Sequence, residues 1–263
     1  MTNPPLPNRM LARPIAHRGL HDADQGVIEN SRAAVRAAVE AGYAVEIDIQ
    51  PSLEGEPVVC HDATLDRLTG ESGPVAARTL SDLTRIRLRE TNETIPTLAE
   101  ILEIVAVGAP IFVEAKIDPL PSGEVKPPED RRAAFEVFAR RIREALDRHP
   151  GPAAVMSFTP TSAAFGVDRE GRAGFDLAQD FPERPIGLIL GEEAECAHLP
   201  PLRDRLSFLS CDHALLPHPE IQAFRAEGRS VICWTIDAPD LAARVRPLSD
   251  QITFEGFRPP SGG

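Results

Sequence analysis

The sequence predicts a (β/α)8 TIM barrel built as one domain, and three observations carry that expectation. Eight short apolar runs of strand length recur along the 263 residues. Most are separated by segments of helical periodicity, and regular strand–helix alternation builds a parallel sheet. The length is one at which α/β barrels commonly fold as a single unit. Carboxylates and histidines stand at the ends of several runs, where a barrel of this kind assembles its site.

Taken in order, a proline-containing leader, residues 1–13, is expected to be loose, and 14–17 is the first strand, ending in His17-Arg18-Gly19. Glu29-Asn30-Ser31 supplies a polar N-cap for an alanine-rich helix that stops at Gly42. The second strand, 44–50, follows directly and completes a βαβ unit. Ser52 to Pro57 reads as a turn and Val58 to Asp62 as a short strand running back beside its predecessor. Residues 63–96 leave the alternation, with turns at Leu68-Thr69-Gly70 and Ser72-Gly73-Pro74 and a short helix from Ser81 to Leu88. Thr97-Leu98-Ala99-Glu100 has capping-box spacing and opens a helix with Leu98, Ile101, Leu102 and Val105 on one face. Alternation then resumes with a strand at 111–116, a loop containing Pro119, Pro121, Pro127 and Pro128, and a helix from about Glu129 to Arg148. Further strands are expected at 153–158, 185–190, 206–211, 230–236 and 251–257, with helices at 219–227 and 240–246. Residues 159–183 are glycine-rich and weakly periodic, and the stretch after the eighth strand leaves little room for a final outer helix.

Hydrophobic residues make up 42% of the chain, as expected of a soluble globular protein with a sizeable core. The net charge of −12, with basic residues scattered, argues against nucleic acid and anionic membrane surfaces as partners. A small phosphate ester remains compatible, because a bound cation and one or two basic side chains invert the field inside a pocket. Cys60, Cys196, Cys211 and Cys233 show no CxxC spacing and are read as reduced. The leader has no apolar core of a signal peptide and no window holds eighteen uninterrupted apolar residues, so a cytoplasmic location without stable membrane association is expected.

Chemistry concentrates in Ala44-Val45-Glu46-Ile47-Asp48-Ile49-Gln50. Alternation along a strand puts Glu46 and Asp48 on the same face, about 7 Å apart. Their repulsion has to be offset by a shared proton, a basic partner or a cation. A divalent ion on hard oxygen ligands is the simplest of these if a third carboxylate arrives from a neighbouring strand, and Glu114 is the candidate. His17, His61 and Lys116 end neighbouring runs, so acid, base and cation-binding groups converge at one mouth.

Several stretches occur in the order seen in one family: Ala16-His17-Arg18-Gly19, Glu29-Asn30-Ser31, Glu46-Ile47-Asp48, His61-Asp62-Ala63-Thr64-Leu65-Asp66-Arg67, Ile95-Pro96-Thr97-Leu98, Glu114-Ala115-Lys116, Ser157-Phe158 and Cys233-Trp234-Thr235. The chain resembles the glycerophosphodiester phosphodiesterases over nearly its whole length. The resemblance implies a barrel with a small insertion after strand two, at about 51–96, and one divalent ion, Mg²⁺ or Ca²⁺, on Glu46, Asp48 and Glu114. It implies His17 and His61 as the general acid/base pair, with Arg18 and Lys116 on the phosphate. The implied reaction hydrolyses a glycerophosphodiester to glycerol 3-phosphate and an alcohol, within lipid and glycerol metabolism. The runner-up keeps the barrel but takes a lysophospholipid, in the manner of a lysophospholipase D, or a phosphoinositide. A barrel that binds without turnover is disfavoured, because both histidines and all three carboxylates are present.

Trp234, the single tryptophan, is expected either in the core or against the glycerol or alcohol moiety. Asp62 is read as a support for its neighbour, and Glu29 stays open between such a support and a helix terminator. The 119–128 loop either shapes leaving-group selectivity or is a surface linker. Two departures stand out. Leu68 occupies a position where threonine is usual, inside the insertion. Strand eight ends Thr253-Phe254-Glu255-Gly256-Phe257 where many members have Thr-Asp-x-Pro, so no role transfers to Glu255.

Overall fold

A computed structural model describes residues 3–116, 128–158, 165–167 and 173–260. The strands are β1 (Ile15–Ala16), β2 (Ala44–Pro51), β3 (Pro57–Val59), β4 (Ile111–Ala115), β5 (Ala153–Phe158), β6 (Phe165–Val167), β7 (Ala173–Asp176), β8 (Ile186–Leu190), β9 (Phe208–Asp212), β10 (Ser230–Ile236) and β11 (Gln251–Phe254). The helices are α1 (Arg32–Glu40), α2 (Leu80–Leu83), α3 (Leu98–Val105), α4 (Pro128–Asp147), α5 (Leu177–Asp180), α6 (Leu199–Leu202), α7 (Pro219–Ala226) and α8 (Pro239–Val245).

Eight parallel strands close in the order β1-β11-β10-β9-β8-β5-β4-β2, with β2 returning to β1. The fold is therefore a (β/α)8 barrel, and its eight strands are the ones expected from the sequence, with ends that differ by up to three residues. β3 pairs antiparallel with β2 and opens the insertion. The local signals act as read. Ser31 caps α1 by accepting from the Ala34 amide at 3.1 Å, and Thr97 and Glu100 form the full capping box of α3.

Side chains alternate between two apolar layers. Val45, Ile47, Ile49, Val113, Val155, Leu188 and Leu209 face the helices, whereas Ile15, Ala44, Phe112, Ala154, Phe208 and Ile232 fill the barrel interior. Gly187 belongs to the interior layer, where a Cβ would come within 2.3 Å of the Phe208 ring. Only a glycine leaves that ring its space. The insertion has a small core of its own, Ile28, Val58, Leu65, Leu68, Val75, Leu83, Leu88 and Ile95. Leu68 is buried there, so a hydroxyl at its position would lose apolar packing.

Two expectations are corrected. The leader is ordered: Leu6 and Met10 pack into the barrel-interior cluster, Asn3 donates to the Phe181 carbonyl at 2.9 Å, and Ser207 donates to that of Pro4 at 2.7 Å. Apolar residues at the open lower end of the barrel give the leader a surface to bury, which no local periodicity announces. The weakly periodic stretch 159–183 contains a hairpin, β6 with β7, followed by α5. The connection after β8 is a run of 3₁₀ turns flanking α6. Residues 255–260 carry no helix, and Tyr43 anchors them through a 2.6 Å hydrogen bond to the Pro259 carbonyl. The proline-rich stretch 119–127 lies outside the described residues. All four cysteines are free and buried.

Candidate active site

Register brings the carboxylates together. Asp48 lies opposite Glu114 in the β2–β4 pairing, and Glu46, two residues earlier on β2, emerges on the same face. One oxygen from each of Glu46, Asp48 and Glu114 can be chosen within 4.8 Å of the others. All three are buried, and together they form an acidic triad able to hold a metal ion.

The surroundings hold this charge without cancelling it. The Lys116 ammonium lies 2.9 Å from an Asp48 carboxylate oxygen and also contacts Glu114. Arg18 donates its backbone N–H to Glu46 at 2.9 Å and brings Nε to 3.4 Å from Asp48. Asn30 clamps Asp48 from both sides: its amide nitrogen donates to the carboxylate at 2.9 Å and its oxygen accepts from the Asp48 backbone N–H at 3.2 Å. Arg18 and Asn30 both take left-handed backbone conformations, φ 53° and 57°, and the Asn30 amide donates to the Arg18 carbonyl. Non-glycine residues in this region mark a backbone held in place by its surroundings. Gly19 follows with φ 78°, its Cα so close to Ala34 of α1 that a Cβ would meet backbone at 2.7 Å.

Burial pushes the Glu46 carboxyl well above its ordinary range, and the neighbouring Asp48 and Glu114 add to the effect. Burial and Asp48 raise Glu114 to about 7. Burial would raise Asp48 too, but Lys116, His61, Arg18 and the Asn30 amide outweigh it and hold Asp48 ionised well below the usual range. Lys116 is driven the other way: burial opposes its charge, yet the two carboxylates raise it above the usual lysine value. One Glu46 oxygen, Oε1, is buried with no hydrogen-bond partner. Two raised carboxyls and an orphaned buried oxygen are what a divalent cation on hard oxygen donors would relieve.

His17 and His61 lie in the same pocket, each one or two residues past a strand end. His61 places Nδ1 2.8 Å from Asp62, which Arg67 grips at 2.6 and 3.1 Å. Arg67 also forks onto Glu29 at 2.7 and 2.8 Å, and Glu29 accepts from Arg18 at 2.7 Å. A continuous chain of charged hydrogen bonds thus runs from His61 to Arg18. Asp62 supports its neighbour, as read from the sequence, and Glu29, two residues ahead of the Ser31 cap, proves to be a support as well. Burial lowers His61 despite the nearby Asp48, which favours its neutral form.

The cavity, about 110 Å³, has a polar side made by His17, Arg18, Glu46, His61, Glu114 and Lys116 and an apolar side made by Met156, Phe158, Ile189 and Trp234. Trp234 lies between core and cavity. It packs edge-on to Phe158 at 5.8 Å and lines the pocket. Its indole nitrogen is buried without a partner. Of the candidate catalytic, phosphate-binding and metal-binding residues, His17, Arg18, Glu46, His61, Glu114, Lys116 and Trp234 line the cavity, and Asp48 joins Glu46 and Glu114 in the triad. Sequence reasoning gave no role to Asn30, Arg67 or Glu255. The first two lie inside matched stretches, so position in a motif could have flagged them. Glu255, 2.7 Å from His17, lies where the pattern departs.

The mouth of the barrel thus gathers a buried acidic triad, two basic side chains and two carboxylate-supported histidines. The sequence model of the glycerophosphoryl diester phosphodiesterase family matches residues 17–251. The chain belongs to that family. Glycerophosphodiester phosphodiesterase 1 of Bos taurus is 39% identical over 113 residues, 39% of this chain and 33% of that protein. The match thus spans about a third of that relative's length. Probable glycerophosphodiester phosphodiesterase 2 of Mycobacterium tuberculosis is 24% identical over 231 residues, 86% of this chain and 80% of that protein. Among solved structures, an Oleispira antarctica phosphodiesterase in complex with the product sn-glycerol-3-phosphate shares the fold, with a TM-score of 0.70, 24% identity and 92% of each chain covered. Among the described residues no helix is long and apolar enough to cross a membrane.

Proposed function

We propose that this barrel acts as one catalytic unit that hydrolyses water-soluble glycerophosphodiesters, such as glycerophosphocholine, to glycerol 3-phosphate and an alcohol. The observation that carries the reading is the buried triad of Glu46, Asp48 and Glu114 set between two histidines in one cavity. The triad would hold Mg²⁺ or Ca²⁺, which when bound neutralises charge on the non-bridging phosphate oxygens. Arg18 and Lys116 reinforce that neutralisation, and Trp234 borders the organic part of the substrate.

The remaining work is proton transfer. His61, favoured in its neutral form by burial, takes a proton from the attacking oxygen, either of water or of the substrate's glycerol hydroxyl, which would first form a cyclic phosphate that water then opens. His17, with a carboxylate against its Nδ1, gives a proton to the alcohol oxygen as the phosphorus–oxygen bond breaks. Family membership, and the name that the Oleispira antarctica structure carries, support this substrate class.

The test is release of glycerol 3-phosphate from glycerophosphocholine by the purified chain, first with chelator and then with Mg²⁺ or Ca²⁺ restored. Release abolished by chelator and recovered with one ion is the expected result. No release under either ion, with glycerophosphoethanolamine and a lysophospholipid also inert, would overturn the reading.

A further inference from the structure

We propose that Glu255 is the positioning residue of His17: it keeps one proton fixed on Nδ1, so that Nε2 is the nitrogen that carries the proton given to the alcohol oxygen and the ring is left as the Nδ1-protonated tautomer. The proposal rests on the reading of His17 as a proton-transfer group. It concerns a residue that the family's usual pattern would not single out.

The juxtaposition follows from strand register. β1 and β11 close the barrel as parallel neighbours, with Ala16 opposite Phe254. His17 and Glu255 are each the first residue past their strand. The His17 backbone N–H donates to the Phe254 carbonyl at 2.9 Å, and that of Glu255 donates to the Ile236 carbonyl of β10 at 3.0 Å. Both backbones are therefore tied to the barrel rim. Their side chains meet at 2.7 Å, between His17 Nδ1 and a Glu255 carboxylate oxygen.

An ionised carboxylate only accepts hydrogen bonds, so a contact of this length requires the proton on Nδ1. Glu255 is ionised over the working range, because the hydrogen bond from His17 and the nearby His21 hold its carboxyl well below the ordinary value. His21, from the loop after β1, brings its Nε2 to 3.6 Å from the same oxygen. That is too long for a direct hydrogen bond. Arg18, Glu46, His61, Glu114 and Lys116 share the cavity with His17, yet among the described residues only Glu255 is hydrogen-bonded to its ring.

Packing explains why the acid stands here and not one residue earlier. The residue after Thr253 is Phe254, which is buried and packs edge-on against Tyr43 at 4.8 Å and Phe257 at 5.7 Å. That position points into the outer core and cannot reach the mouth. The next residue can, and the longer glutamate spans the gap to His17.

The test combines a tautomer readout with kinetics. In protein labelled with ¹⁵N-histidine, long-range proton–nitrogen correlation at a pH where imidazole is neutral reports which nitrogen carries the proton, with His17→Gln assigning the signal. The wild type should show His17 protonated on Nδ1. Glu255→Ala should shift it toward the Nε2-protonated form, whereas Glu255→Gln, whose amide oxygen can still accept, should retain part of the original signal. In turnover, Glu255→Ala should lose on the order of 10- to 100-fold in kcat with KM changed by less than about twofold, and unchanged circular dichroism would show the fold intact. An unchanged tautomer in folded Glu255→Ala overturns the proposal whatever its activity. An inactive wild type with Nδ1-protonated His17 would instead sink the assigned reaction while leaving the Glu255–His17 pairing in place.

Discussion

At the scale of single residues, the site is a charge problem solved by competition. Lys116 is the internal cation of the triad, in contact with both Asp48 and Glu114. A divalent ion that binds these oxygens has to displace part of that contact. Lys116→Met is therefore expected to tighten Mg²⁺ or Ca²⁺ binding, by roughly tenfold for a coupling of about 1.4 kcal/mol, measured by titration calorimetry. Unchanged or weaker affinity would mean that the lysine does not compete. The raised carboxyls set a pH dependence. Glu114 rises from 4.5 to about 7, so the stability linked to its proton is present below pH 4.5 and lost as pH rises through about 7. Asp48, which is lowered, acts in the opposite sense and only at more acid pH. In chelator, the melting temperature should fall between about pH 5 and pH 8, and a divalent ion should restore more of it at the upper end. Equal cation-induced shifts at both pH values would show that the triad does not carry the linkage.

At the scale of elements, neighbouring strands decide what each side chain meets. Gly187 on β8 exists for the Phe208 ring on β9. Gly187→Ala should cost on the order of 1–3 kcal/mol through overpacking, read by denaturant unfolding with the slope unchanged. A cost within about 0.5 kcal/mol, the range of an ordinary surface change, would show that the ring can move aside. The insertion behaves as an element of its own, with a separate small core. Arg67 is its link to the site, since one guanidinium holds both Glu29 and Asp62. Turnover, more than stability, should therefore suffer in Arg67→Ala.

At the scale of the whole molecule, the barrel needs a floor as well as a mouth. Met10, 1% exposed, packs with Leu6 against the interior layer that ends at Phe158 and Trp234 under the pocket. Met10→Ala should cost roughly 2–5 kcal/mol, and the loss should appear in thermal unfolding while cation affinity is retained. A neutral substitution would make the leader an ornament and not a plug. The net charge of −12 is compatible with an anionic substrate only because the positive groups Arg18 and Lys116 are concentrated where the substrate would sit.

The chain by itself determined the elements and the chemistry they carry. Alternation fixed the strand faces, so Glu46 and Asp48 had to emerge together; Ser31, Thr97 and Glu100 announced their helices; and the ordered stretches from His17 to Trp234 identified the family. These signals are local, because they arise from backbone periodicity and short-range hydrogen bonding within a few residues. Tertiary structure decided the pairings between distant segments. Asp48 meets Glu114 through strand register, Glu29 meets Arg67 across the insertion, and His17 meets Glu255 across the seam that closes the barrel. The leader likewise finds order only because a closed barrel offers it an apolar floor. Such contacts depend on closure of a ring of strands, and no window of sequence contains that geometry.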